Sequence, residues 1–374
     1  MTPLRTITLR EIEMPLREPF RISSGTTTHR RILLLQLTDA DGLTVWSECV
    51  AGERPNYAPE TIDTAWVVLE RYVAGRVLGV PLPDPDGIAP LLARDFRGHN
   101  MAKAAVEMGL WGLESLRRGI PLARLLGGER ERIEVGVSIG IQEDPGALVE
   151  KARKHLAEGY RKIKMKVEPG ADVSWVRPVR QALGPEAPLM VDANNAYTLE
   201  DAEVLLGLDD LDLLMIEQPL AWDDIVQHAE LQRRLRTPIC LDESITGLDR
   251  ARDMVALGSG RIINIKPGRV GGLGPSLAIH DFCRHHNIPV WCGGMLESGV
   301  GRAYNVALAS LPGFTIPGDI SPSRRYWDRD VVDPEWTMDP EGTMGVPLDR
   351  PGLGVEVDLD RVEALTVRSL ILST

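Results

Sequence analysis

Through the middle of the chain, short apolar runs recur at a near-constant interval, and each carries an ionisable residue at or next to its end. The runs are Ile163–Val167, Leu189–Asp192, Leu213–Glu217, Ile239–Asp242 and Ile262–Lys266. Along the line Lys166, Asp192, Glu217, Asp242, Lys266 the steps are 26, 25, 25 and 24 residues. A strand of about five residues, a helix of about eleven and two short loops fill that length. The series therefore predicts consecutive strand–helix units, each with a charge at the C-terminal end of its strand. A (β/α)8 barrel builds its active site at that end. One charge at a strand end needs no function; five in register on successive units call for one.

The same rhythm extends in both directions. Val135–Ile139 reads as a first strand, the series supplies strands two to six, Ile288–Cys292 is a seventh and Phe314–Asp319 a weak eighth. The intervening segments, such as 198–207 and 224–234, have the 3.6-residue period of amphipathic helices. Upstream the pattern differs. Residues 4–13 alternate, and 31–38 and 43–48 flank the turn signal Asp39-Ala40-Asp41-Gly42. Helical periodicity follows near 60–80, 86–95 and 101–118. Strands and helices in separate blocks indicate an α+β domain, closed by Gly127-Gly128. The tail alternates again from Gly354 to Asp358 and is expected to return to the N-terminal domain. The expected organisation is an α+β domain over 1–128, a (β/α)8-type barrel over 129–350 and a returning segment over 351–374.

Composition narrows the function. With 42 basic against 54 acidic residues, the net charge of -12 argues against a nucleic-acid or anionic-membrane surface. No run approaches a membrane span, and the N-terminus lacks a signal-peptide pattern. The four cysteines form no CxxC, and Cys240 and Cys292 lie in apolar runs, so a reducing, cytoplasmic location is expected.

Asp192, Glu217 and Asp242 fall on adjacent predicted strands. Three converging carboxylates repel and raise one another's pKa. A hard divalent cation with oxygen ligands relieves that, so Mg2+ is expected, with Mn2+ able to substitute. Helix capping explains these acids less well, because Thr198 and Ser244 or Thr246 are better placed to cap. Asn194, two residues beyond Asp192, is placed to orient a ligand, and Glu243 to support the metal site.

Lys164 and Lys166 are two apart on one strand and share a face. A like-charged neighbour and a dication are expected to lower a lysine's pKa towards the range of a general base. Lys266 is on strand six, opposite strand two in an eight-stranded barrel, so two lysines face each other across the metal. That arrangement suits removal of a proton α to a carboxylate, with the enediolate stabilised electrostatically. One lysine abstracts the proton. The other returns one to the opposite face, giving racemisation, or stands as a cation while a β leaving group departs. Other chemistries are poorly supported. None of the seven histidines ends a predicted strand, Gly268–Pro275 lacks GxGxxG spacing, and GxSxG is absent.

The chain resembles the enolase superfamily, in its muconate-lactonizing subgroup, over essentially its whole length. Lys164-Met165-Lys166, the Asp192/Glu217/Asp242 trio and Lys266 carry the resemblance. Within the subgroup it looks closest to the o-succinylbenzoate synthase/N-acylamino acid racemase family. The resembling segments are Val191–Asn194, Ile216–Asp224, Cys240–Ser244, Lys266–Arg269, Trp291–Gly299 and Arg325–Trp327. The resemblance implies Mg2+, Lys166 and Lys266 as the acid/base pair, an N-terminal domain whose loops cap a small carboxylate substrate, and a homo-oligomer. It implies that Arg269 lowers the pKa of Lys266, and that Ser138, Gly293, Met295, Ser23 and Tyr57 complete the substrate surroundings. The cap departs from the pattern: Ser24 stands where an aromatic is usual, and Ala51 and Asn56 where methionines are. Asp319-Ile320-Ser321 is not the Asp-x-Asp of dipeptide epimerases. Racemase, synthase or both fit; a muconate-type cycloisomerase is a more distant alternative, and a non-catalytic metal-binding scaffold the remotest.

Overall fold

The computed structural model describes residues 1–374. Strands β1 (Leu4–Ile22), β2 (Gly25–Asp39) and β3 (Thr44–Cys49) form an antiparallel sheet. Ile22 pairs with Gly25, so Ser23 and Ser24, expected in the cap, form the turn at the tip of a long hairpin. Leu33, Leu34 and Leu35 are all buried, facing both sides of the sheet. Helix α1 (Asn100–Arg118) is itself buried from Met101 to Ser115.

The expected strand–helix units form a parallel sheet in sequential order: β4 (Gly136–Ile139), β5 (Lys162–Lys166), β6 (Leu189–Asp192), β7 (Ile216–Glu217), β8 (Ile239–Leu241), β9 (Ile262–Ile265) and β10 (Val290–Cys292). The eighth strand is a correction. Residues 314–319 form no strand and make only single bridges, Phe314 to Val290 and Gly318 to Val135. Pro317 supplies no N–H to a ladder, and Gly318 has no side chain to pack, so pairing does not propagate.

The tail reaches the first sheet through its last residues rather than through 354–358. Residues 356–357 pair with 332–333, whereas β11 (Thr366–Ser373) pairs antiparallel with β1 and completes the order β11-β1-β2-β3. One core of 97 buried residues, from Leu4 to Val362, is shared by the two sheets. No helix is long and apolar enough to cross a membrane.

Alternation along the parallel strands creates two layers on one face of the sheet. Met190, Met215, Cys240, Ile262 and Trp291 form a small separate apolar cluster. Two residues further along each strand direction stand Asp192, Glu217, Asp242, Asn264 and Gly293. The charged groups thus rest on an apolar floor, which fixes their side chains while excluding water beneath them.

Candidate active site

The five spaced charges converge. Lys166 Nζ donates to Asp192 Oδ2 at 2.6 Å and to Asn194 Oδ1 at 2.7 Å. Lys164 Nζ lies 3.0 Å from Glu217 Oε2, 3.2 Å from Asp192 Oδ2 and 2.6 Å from Asp319 Oδ2. Across the sheet, Lys266 Nζ donates to Asp242 Oδ2 at 2.7 Å and to the Tyr57 hydroxyl at 3.2 Å. Tyr57 donates to Asp242 Oδ1 at 2.8 Å, and Arg269 pairs with the same oxygen. Asn264 donates to Glu217 Oε1 at 2.7 Å. Glu243 Oε1 accepts from Asn194 at 3.3 Å and Asn195 at 3.2 Å, and its Oε2 has no partner.

The backbone bends where these groups leave the strands. Asn194, Asn195 and Gln218 have φ of 42°, 65° and 37°. Asparagine tolerates that left-handed region better than most residues. Gln218 is held by its side chain, whose Oε1 accepts from the Asp242 and Ser244 amides.

The electrostatics follow from burial and pairing. Burial works against both carboxylates, yet Lys166 and Lys164 hold Asp192 below the usual range, and Lys266 and Arg269 hold Asp242 down at about 2. Glu217 goes the other way. Burial, together with Asp192 and Asp242, pushes it up to about 8. Carboxylate repulsion thus adds to burial at Glu217, whereas at Asp192 and Asp242 the paired cations outweigh it. The lysines respond to the same acids. Burial lowers the Lys266 ammonium, but Asp242 and the other anions around it outweigh that and hold it above its ordinary value. Lys164 is raised in the same manner, with Asp319, Glu217 and Asp192 opposing its burial. Arg269 grips Asp242, the Ile245 carbonyl at 2.8 Å and the Asn264 carbonyl at 2.5 Å.

The donor set fits a hard divalent cation: Asp192, Glu217 and Asp242 are three buried carboxylates on adjacent strand ends, one of them short of counter-charge. They do not stand as a ready-made cage, since no group of three or more His, Cys, Asp or Glu is placed to hold a metal ion. The chain's own ammonium and guanidinium groups occupy the carboxylate oxygens.

Above this layer lies a cavity of about 480 Å³. Of the expected residues, Lys166, Lys266, Asn194, Tyr57 and Met295 line it. Ser138, Gly293, Ser23, Glu243 and Arg269 do not. Ser138 is cross-strand from Lys164, a layer lower, and its hydroxyl has no partner. Ser23 donates to the Asn194 carbonyl at 3.2 Å, tying the hairpin tip to the strand-end loop. Gly293 acts by having no side chain: a Cβ there would stand 2.6 Å from Lys266 Cε. Ser24 and Asn56 line the cavity, joined at 3.0 Å, whereas Ala51 is buried away from it.

Lys162 was not anticipated. It is fully buried, 3.4 Å over the Trp291 ring and 3.3 Å from Asp319 Oδ1. Its position two residues before Lys164 was the available signal, and Asp319 was readable only as the end of a weak strand.

Known proteins share this architecture. The family described as "Enolase C-terminal domain-like" matches residues 147–362, and "Mandelate racemase / muconate lactonizing enzyme, N-terminal domain" matches 4–127. The chain belongs to the enolase superfamily, in its mandelate racemase/muconate lactonizing enzyme group. It is 49% identical over 360 residues to an o-succinylbenzoate synthase of Geobacillus stearothermophilus, covering 96% of this chain and 95% of that one. It is 48% identical over 359 residues to an N-succinylamino acid racemase of Thermus thermophilus, covering 96% of each. An enolase-superfamily structure from Listeria innocua superposes with a TM-score of 0.96 at 36% identity, over 100% of both chains. A dipeptide epimerase from Cytophaga hutchinsonii, solved with Mg and D-Ala-L-Val, superposes at 0.89 and 25% identity, again over 100% of both.

Proposed function

We propose that this enzyme removes the proton α to the carboxylate of an N-succinyl amino acid and returns it to either face, and that the same site dehydrates a substrate to o-succinylbenzoate. One observation carries the reading: Lys166, ending β5, and Lys266, following β9, reach the same cavity from well-separated strands of the sheet. We take 1–128 as the capping domain, 129–350 as the barrel, with 314–319 as its closing element, and 351–374 as the returning segment.

Lys166 is the base for one enantiomer and Lys266 for the other. Each must start neutral when it accepts a proton and charged when it donates one. Arg269 and Tyr57 fix Asp242 beneath Lys266, and Asn194 fixes Lys166, so both ammonium groups are aimed before substrate arrives. Asp192, Glu217 and Asp242 would hold Mg2+, which when bound supplies positive charge to the substrate carboxylate as the enediolate forms. In dehydration Lys166 removes the α-proton and, as the resulting ammonium, returns it to the departing β-hydroxyl, which leaves as water, while Lys266 remains a cation beside the developing negative charge. The names of the relatives support both reactions on one framework.

Isotope exchange in D2O tests the geometry. Wild type should exchange the α-proton of both enantiomers of an N-succinyl amino acid. Lys166→Ala and Lys266→Ala should each abolish racemisation, and each should retain slow exchange with a different enantiomer. Retention of the same enantiomer by both variants would mean that the lysines share one face of the substrate.

A further inference from the structure

The cavity holds one buried cation that this chemistry leaves unused. Arg30, on β2, is 7% exposed and lines the cavity. Its guanidinium has no carboxylate within ion-pairing distance. Its contacts are long ones to carbonyl oxygens: Ala51 at 3.5 Å, Val50 at 3.4 Å and Met295 at 3.4 Å. Its Nε has no partner. The acids around it are committed elsewhere. Glu48 accepts from Ser298 Oγ at 2.6 Å and the Gly301 amide at 3.1 Å; Glu297 accepts from the Met295 amide at 2.9 Å and Asn305 at 2.8 Å. The other cavity cations differ. Lys166 and Lys266 are paired with Asp192 and Asp242, while Arg54 and His29 are exposed.

A buried guanidinium with no anion is an incomplete arrangement. Carbonyl contacts of 3.4–3.5 Å are at the weak limit of hydrogen bonding, and the planar fork of arginine is matched best by a carboxylate. We propose that Arg30 receives the terminal carboxylate of the substrate's N-acyl group, so that the enzyme selects dicarboxylates. The α-carboxylate lies at the Asp192–Glu217–Asp242 end of the cavity and the distal one at Arg30. This assignment rests on the N-succinyl reading above. A cavity of about 480 Å³ has room for both ends of such a substrate.

The competing role for Arg30 is a tie between residues 50–51 and 295 with no ligand. The two separate with a matched substrate pair: an N-succinyl amino acid and its terminal amide, equal in size but without the distal charge. Wild type should favour the acid by about 30- to 100-fold in kcat/KM, the effect of one desolvated charge-assisted pair. Arg30→Met should erase that preference, raising KM for the acid while leaving the amide within about threefold. Arg30→Lys should restore part of it. Equal use of acid and amide by wild type overturns the assignment without requiring any variant to fold. An equal loss on both substrates in Arg30→Met also overturns it, leaving the tie. A wild type that racemises no N-acyl amino acid would overturn the functional reading and this assignment with it.

Discussion

Gly293 shows how one residue governs the reach of another. It follows β10, and a Cβ built there would meet Asn264 Oδ1 at 2.4 Å and Lys266 Cε at 2.6 Å. Neither neighbour can yield cheaply: Asn264 is hydrogen-bonded to Glu217, and Lys266 is held by Asp242 and Tyr57. Gly293→Ala should therefore displace the Lys266 ammonium rather than unfold the protein. A misplacement of about 1 Å costs on the order of 100-fold in rate, so kcat should fall by about that factor with melting little changed. Activity within threefold of wild type would show that the Lys266 stem has other room. The strand-end charges were legible at this scale because a period-2 strand fixes which side chains share a face. Their protonation was not. The resemblance implied that Arg269 lowers the pKa of Lys266; what only folding shows is that the two cations hold opposite oxygens of Asp242.

Elements are joined by buried acids at helix starts. Glu107 on α1 accepts from the Leu273 and Gly274 amides at 2.7 and 2.8 Å, at the first turn of helix α2 (Leu273–His285). Trp111 Nε1 donates to it at 2.9 Å. Gly272 makes the approach possible, since a Cβ there would stand 2.1 Å from Glu107 Oε2. Those donors favour the carboxylate, but burial is the larger influence and pushes the group up to about 7. A carboxyl raised in the folded state contributes stability below its unfolded pKa of about 4.3, and that contribution is lost as pH climbs through about 7. Relative to Glu107→Gln, wild type should lose melting temperature between pH 5 and pH 8. A constant difference across that range would show that the amides and Trp111 fully offset burial. Such joints escape sequence reading because Glu107 and Leu273 are far apart in the chain, and nothing local in either segment marks the contact. The helix itself was legible from its period, within a residue of its observed ends.

For the molecule as a whole, the balance of charge in the site decides how it responds to metal. Lys164, Lys166, Lys266 and Arg269 already neutralise part of the carboxylate cluster, so the metal-free protein should stay folded. Mg2+ at about 100 times its Kd should add about 2.7 kcal/mol. A chelator should abolish turnover and lower the melting temperature, and Mg2+ or Mn2+ should restore both. Full activity in a demonstrably metal-free sample would remove the metal from the reaction, and Asp192→Asn should mimic the chelator. By itself the sequence determined the strand–helix rhythm and the register of the strand-end charges, because each follows from periodicity or from spacing along the backbone. Only the tertiary structure decided that residues 314–319 form no regular strand, that β11 rather than 354–358 rejoins the first sheet, and that Arg30 is buried beside the cavity without a counter-ion. Those outcomes depend on which surfaces meet. Burial and pairing between segments far apart in the chain set the energy of a proline-containing edge or an unpaired guanidinium, and no local pattern encodes them.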